Sequence, residues 1–384
     1  MNDFSIGLFN DSFPPVIDGV AQTVKNYAEN LSKKDCRVSV VTPNYRGVQD
    51  RYPFDVVRYP SLNMGARIGY RVGVPFDPET IRRLRAKRFD IMHVHSPFAS
   101  SVLVKTINHR PRVPVVLTYH TRFDLDLQKR VPNPAMRKVA MKFLLENVKA
   151  ADEIWVVTNS CKYILRDIGY EGGCRVMENG TDFVRGKAAP EKVAALREKY
   201  HIYEDMPVFL FVGRMMWYKN IRLMLDTYAL LKENGMPFRA IFIGEGYDLP
   251  SMQTYANELG LQDEVIFTGP IRDREQLRVF YSMADLFFFP STYDTCGIVV
   301  KEAAACDCPS LLLRDSCAAE GAIHKANGFI CDETPASCAD TIMDAFGDRT
   351  AMRLAGERAS RDLYLSWEDA VDRAYQRYRE ILHR

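Results

Sequence analysis

Short apolar runs alternate with longer amphipathic stretches along the whole chain. Runs at 4–9, 37–42, 55–59, 90–94, 113–119, 153–158 and 174–177 read as strands, because strands covered on both faces are continuously apolar. Between them, apolar positions recur at helical spacing near 20–33, 78–87, 99–108, 135–150 and 159–168. The rhythm then restarts, with strands predicted at 208–212, 239–243, 264–268, 285–289 and 310–313 and helices near 218–234, 248–260, 273–283 and 298–306. Such alternation predicts α/β architecture with parallel sheets, in two Rossmann-like halves.

The stretch GTDFVRGKAAP gathers Gly, Pro and small residues between the two patterns and marks the boundary. It gives a domain over 1–183, a second over 184–365, and a closing helix over 366–384 whose Ala370, Ala374, Tyr378 and Ile381 share one face. A chain of 384 residues exceeds what one core usually supports, which agrees with two domains.

Net charge is formally +2, but residues 1–185 hold 28 Lys/Arg against 19 Asp/Glu and the remainder 23 against 30. The excess concentrates between Arg67 and Lys142, where 16 basic residues face 5 acidic ones. A field of that sign attracts anionic lipid, phosphorylated substrate or nucleic acid, or is simply a solvated face. The opening MNDFSIGLFNDSF lacks a basic lead, and no window approaches the roughly 20 apolar residues that span a bilayer. Nine scattered cysteines fit reduced thiols. The expected location is therefore the cytoplasm.

Parallel sheets bind ligands beyond the carboxyl ends of their strands, so the junctions there carry the candidate chemistry. After the first strand, Asp18-Gly19 opens a helix, and Gly19 lets backbone approach a phosphate. No G-x-G-x-x-G follows, which disfavours a dinucleotide dehydrogenase. His120 ends the fifth strand, where it could donate to a substrate oxygen or carry a proton. His93 and His95 end another strand and read as structural. Asp124 and Asp126 form a D-x-D too common to argue for a metal.

In the second half, Arg214 and Lys219 put a planar fork and a point charge at a helix start, a pair suited to a diphosphate. No Walker loop is present. The loops carrying Glu245, in GEGYD, and Ile271, in GPIR, suit a base or ribose. In PSTYDTCGIVVKE, Gly297, Ile298 and Val299 open a helix whose free N-H groups favour an anion. Asp294 and Glu302 flank it. A glycoside-hydrolase dyad is one reading of two carboxylates; the nearby cations instead fit an anionic leaving group, with the carboxylates accepting from sugar or ribose hydroxyls.

Taken together, Gly213-Arg214-x4-Lys219 and Asp294-x7-Glu302 resemble the G-R-x4-K and E-x7-E motifs of retaining glycosyltransferases of the glycogen-synthase-like and mannosyltransferase-like superfamily, the family 4 type with GT-B fold. FPPVIDGV, HSPF, TYHT, ENGTD, GEGYDL and ADLFFFPS support it along essentially the whole chain. The resemblance implies two facing Rossmann-like domains with an interdomain active-site cleft and a C-terminal helix crossing back to the N-terminal domain. It implies that Arg214, Lys219, Gly19 and the N-H groups of Gly297, Ile298 and Val299 hold the donor diphosphate. Asp294 would hold donor-sugar hydroxyls, Glu302 the ribose, and His120 the sugar and its departing oxygen. It further implies a nucleotide-sugar co-substrate, transfer with retention, and no metal or other cofactor.

The chain departs from that pattern at three positions. Asp294 stands where Glu is common, and Asp18 and Asp307 where Gly is frequent. Cys296, Cys306 and Cys308 lack the register and histidines of a metal cluster. The DGV loop, TYHT and the basic first half resemble the branch that glucosylates diacylglycerol, which implies a peripheral enzyme on the inner face of the plasma membrane with UDP-glucose as donor. Helix 135–150 fits in part, with Met136, Val139, Ala140, Phe143 and Leu144 on one face and Lys138, Lys142 and Lys149 on another. A soluble acceptor or GDP-mannose as donor is the alternative. A nucleic-acid-binding protein leaves the donor constellation unexplained, and a phosphatase or hydrolase lacks a metal set or nucleophile.

Overall fold

Parallel strands hold each unit together, and the inner ones, formed by the most apolar runs of the sequence, are buried on both faces. The computed structural model describes residues 4–16, 18–45, 47–63, 71–108, 111–203 and 205–383. Arg67 and Arg110 of the basic segment lie outside them.

The first part of the chain runs β1 (Phe4–Phe9), α1 (Gly19–Leu31), β2 (Cys36–Pro43), β3 (Asp55–Tyr59), β4 (Ser61–Asn63), β5 (Arg71–Gly73), α2 (Pro78–Ala86), β6 (Ile91–Val94), α3 (Ala99–Ile107), β7 (Val115–Tyr119), α4 (Phe123–Arg130), α5 (Pro134–Lys149), β8 (Glu153–Val156), α6 (Ser160–Asp167) and β9 (Cys174–Val176). The second runs α7 (Pro190–Lys199), β10 (Val208–Val212), α8 (Ile221–Glu233), β11 (Arg239–Ile243), α9 (Leu249–Glu258), β12 (Val265–Gly269), α10 (Arg274–Met283), β13 (Leu286–Phe289), α11 (Ile298–Ala305), β14 (Ser310–Leu313), β15 (Phe329–Cys331), α12 (Pro335–Gly347) and α13 (Arg349–Asp362). The last helix is α14 (Trp367–Leu382).

The chain divides into two compact units, one of residues 1–179 with 367–384 and the other of residues 180–366. Residues 180–183 pack with the second unit: Thr181 donates its N-H to Leu365 O at 2.8 Å, and Phe183 is in that unit's core. Helix α14 packs in the first unit, where Phe4 stacks on Tyr375 and Arg377 donates to the Glu153 carboxylate.

The first unit's seven-stranded parallel sheet has the order β3-β2-β1-β6-β7-β8-β9, and the second unit's six-stranded parallel sheet the order β12-β11-β10-β13-β14-β15. Both are Rossmann-like α/β layers, as the alternation of patterns predicts. In each, strand order reverses beside the first strand: between β1 and β6, and between β10 and β13. The carboxyl ends at such a reversal leave room for a ligand because the connections there run to opposite sides.

Several elements go beyond the predicted set. Strands β4 and β5 form a short antiparallel pair, three residues each. Helix α7 starts at Pro190, inside the stretch that reads as a linker, because proline is tolerated at a first helical position. Helices α12 and α13 abut at Asp348, whose side chain caps α13 through the Ala351 N-H. Strand β7 begins at Val115, two residues later than predicted, after Pro114, which has no N-H to give a ladder.

Candidate active site

In the second unit, the reversal brings the loop after β10 beside the loop after β13. Gly213 donates to Ile243 O at 3.0 Å, Met215 to Glu245 O at 3.0 Å and Asp248 to Met215 O at 3.2 Å, so the GRMM and GEGYD loops are zipped backbone to backbone. This closeness explains two glycines. A Cβ on Gly244, whose φ is +146°, would lie 1.9 Å from Gly213 O, and one on Gly246 2.2 Å from Met215 O. Glu245 itself is exposed, while Ile271, after β12, is half-buried against the core.

Trp217–Lys219 then make one tight 3-10 turn, and Asn220 ends it in the left-handed region at φ 64°. Its side-chain amide donates to Glu333 at 2.6 Å and to Pro290 O at 3.3 Å, tying this turn to the start of the loop after β13. Lys219 is thereby turned inward and is only 6% exposed. Its ammonium lies 2.6 and 2.7 Å from the two oxygens of Asp294. Tyr218 and Tyr293 pack beside this pair with ring centroids 4.6 Å apart. Arg214 is exposed, its guanidinium 5.8 Å from the Tyr218 ring centroid.

Gly297 precedes the first turn of α11, and a Cβ there would press on Val300 at 2.8 Å. Ile298 N-H is taken by Cys296 O at 3.0 Å, so it is not one of the free donors that a helix start offers to an anion. Glu302, one turn further, is 5% exposed. It accepts from Arg274 at 2.7 Å and from the Tyr281 hydroxyl at 2.8 Å. Burial pushes its carboxyl up, and the Arg274 guanidinium opposes that shift. The second unit thus gathers Arg214, Lys219, Asp294 and the α11 start at one switch point, with Glu302 set deeper in an ion-paired cluster.

In the first unit, Asp18 caps α1 by accepting from Ala21 N-H at 2.7 Å, so a carboxylate already occupies that helix's anion-favouring end. A Cβ on Gly19 would meet nothing within 4 Å, so internal packing does not demand the glycine. His120, at the end of β7, is 8% exposed and its Nε2 is 2.9 Å from His95 Nδ1. His93 bonds Tyr378 and Thr118, each at 2.6 Å. Burial pushes His120 down to about 3 and holds His93 and His95 well below the usual histidine range. All three rings are therefore neutral near pH 7, and His120 is suited to hydrogen bonding and not to acting as a general acid. In the D-x-D, Arg122 engages both oxygens of Asp124, with its closest contact at 2.8 Å, so that carboxylate is already ion-paired.

Arg274, Asp182, Tyr281, Asn220, Asp11 and the His95–His120 contact are assigned no role by the sequence. Asp11 accepts from Ser100 N-H and hydroxyl at 2.8 Å and from Ser96, which fixes the loop that carries His95. One signal for Arg274 was legible. A cation in the first turn of a helix opposes the dipole and needs a partner.

Two family models match the chain: one described as Glycosyltransferase Family 4 over residues 17–185, and one described as Glycosyl transferases group 1 over residues 192–362. Two proteins named alpha-monoglucosyldiacylglycerol synthase are each 26% identical to it. That of Streptococcus pneumoniae aligns over 79% of this chain and 70% of its own, and that of Acholeplasma laidlawii over 81% and 80%. The solved structure of Anabaena HepE in complex with UDP matches with a TM-score of 0.79 at 16% identity, over 98% of this chain and 100% of its own.

Proposed function

Because the chain belongs to the glycosyltransferases, with a family 4 domain followed by a group 1 domain, we propose that it is a retaining hexosyltransferase. It moves a hexose from a nucleotide-diphosphate sugar, with UDP-glucose favoured, to the hydroxyl of a membrane lipid such as diacylglycerol. The observation that carries this reading is the switch point of the second unit, where Lys219, Asp294, Arg214 and the start of α11 converge. UDP as the nucleotude carrier is supported by the HepE complex, and the acceptor by the names of the two synthases. The "alpha" in those names supports retention, since the common nucleotide-glucose donors are themselves α-linked.

As the bond to the donor phosphate stretches, negative charge grows on the leaving diphosphate. Lys219, held by Asp294, and the start of α11 are preorganised to stabilise it, and Arg214 adds a second cation. Asp294, oriented by Lys219, accepts from sugar hydroxyls, and Glu302 accepts from the ribose. Transfer proceeds by same-face displacement: the acceptor oxygen bonds to the anomeric carbon as the bond to the diphosphate breaks, and the departing donor phosphate oxygen takes the acceptor's proton. No metal is required for these steps.

Membrane contact is supported by α5. Leu144 and Val148 are buried, whereas Met136, Val139 and Phe143 are 63%, 70% and 48% exposed beside exposed Lys138 and Lys142. Exposed apolar groups flanked by lysines suit an anionic interface. Among the described residues no helix is long and apolar enough to cross a membrane, and peripheral attachment through α5 is the mode proposed here. A thermal-shift panel of UDP-, GDP- and ADP-sugars tests the donor assignment. Stabilisation by UDP-glucose is expected, and indifference to all three contradicts it.

A further inference from the structure

Glu302 and Asp182 are 120 residues apart in sequence and share one guanidinium. Arg274, the first residue of α10, gives Nε to Asp182 at 2.9 Å and Nη2 to both Asp182 and Glu302, the latter at 2.7 Å. Its plane lies over the Phe183 ring, 4.4 Å from the centroid. Tyr281 donates to the other oxygen of Glu302 at 2.8 Å. The arginine is thus held from three sides, although its side chain remains 41% exposed.

The arrangement decides how Glu302 can meet a ligand. A carboxylate has about four acceptor positions, and Arg274 and Tyr281 occupy one on each oxygen, leaving one per oxygen in a fixed plane. Two acceptors so placed fit the vicinal hydroxyls of a ribose. Without the guanidinium, burial favours the protonated acid, which turns one acceptor into a donor and lets the group rotate.

We propose that Arg274, anchored by Asp182, is a positioning residue that holds the Glu302 carboxylate aimed at the 2′,3′-diol of the donor nucleotide. The proposal rests on the reading of Glu302 as the ribose ligand. Removing the guanidinium leaves a buried carboxylate unpaired and can cost folding stability. Asp182→Asn, which keeps the Arg274–Glu302 contact but loosens the arginine, therefore serves beside Arg274→Met.

The test is the ratio of calorimetric Kd values for UDP and 2′,3′-dideoxy-UDP, with folding checked by thermal melts. The wild type should prefer UDP by about tenfold or more, as expected for hydroxyls bonded to a charged group. In Asp182→Asn, and in Arg274→Met if it folds, the ratio should fall towards one while affinity for inorganic pyrophosphate stays unchanged. A wild-type ratio retained in folded Asp182→Asn overturns the positioning role. A ratio of one in the wild type, or no UDP binding, overturns the assignment of Glu302 and the proposal with it.

Discussion

The Lys219 ammonium sits between the two oxygens of Asp294, at 2.6 and 2.7 Å, joining the loops after β10 and β13. The two residues are 75 positions apart, and the parallel order of the second sheet brings them together. Lys219→Ala should lower kcat/KM by about a hundredfold or more, the scale of losing one charge-stabilising donor. Arg214→Ala, at an exposed position, should lose a similar factor with little change in melting temperature. Near-normal turnover in both variants, measured with a saturating acceptor, would remove them from the site.

Asp294→Glu adds one methylene where the carboxylate meets Lys219. The longer side chain reaches further towards the sugar, so its effect should fall on donor choice. The ratio of initial rates with UDP-glucose and UDP-galactose, which differ at one hydroxyl, should change severalfold. An unchanged ratio would mean that Asp294 does not read the sugar.

The buried histidines make the first unit acid-sensitive. His93, His95 and His120 stay neutral in the fold, whereas in the unfolded chain each binds a proton near pH 6.5. The unfolded state then holds more protons, so stability is fully present above about 6.5 and is lost as the pH falls towards 3. The slope is about 1.4 kcal/mol per pH unit for each histidine. Asp11, whose carboxyl burial raises, offsets part of the loss at the acid end. The melting temperature should fall between pH 7.5 and 5.5, and His95→Phe should flatten that dependence. A flat wild-type profile would contradict the buried neutral cluster.

Sedimentation with anionic vesicles tests the α5 face. Binding is expected at low salt, with release at high salt. Lys138→Glu and Lys142→Glu should each weaken it by about fivefold or more, given about 1 kcal/mol per lysine near the surface. Phe143→Ser should weaken it with less dependence on salt. Indifference to vesicles would favour a soluble acceptor.

The inner strands were legible because burial on both faces leaves a continuous apolar signature: 4–9, 208–212, 239–243 and 310–313 coincide with β1, β10, β11 and β14, and the edge strand β3 also coincides with its predicted 55–59. Helix α13 was not, since RTAMRLAGERASRD is mostly polar and buries small residues such as Ala355, Gly356 and Ala359. Strands β4 and β5 are too short to show a period. At the site, Lys219 and Asp294 were readable because each lies in a compact local motif. The Asp182–Arg274–Glu302 cluster was not, because its members come from three separate segments and only the fold joins them. Asp307, which stands where glycine is frequent, has φ 54°, so the sequence departure marks a left-handed turn after α11.

Product analysis by mass spectrometry decides whether this protein transfers glucose to a membrane lipid. Wild type and Lys219→Ala would be incubated with UDP-glucose and vesicles containing diacylglycerol and anionic lipid, and the product's anomer assigned by NMR. The wild type should give an α-glucosyl lipid, and the variant should lose about a hundredfold in yield. A β-linked product would rule out retention, and UDP-glucose consumed only by hydrolysis with no lipid product would rule out the lipid acceptor.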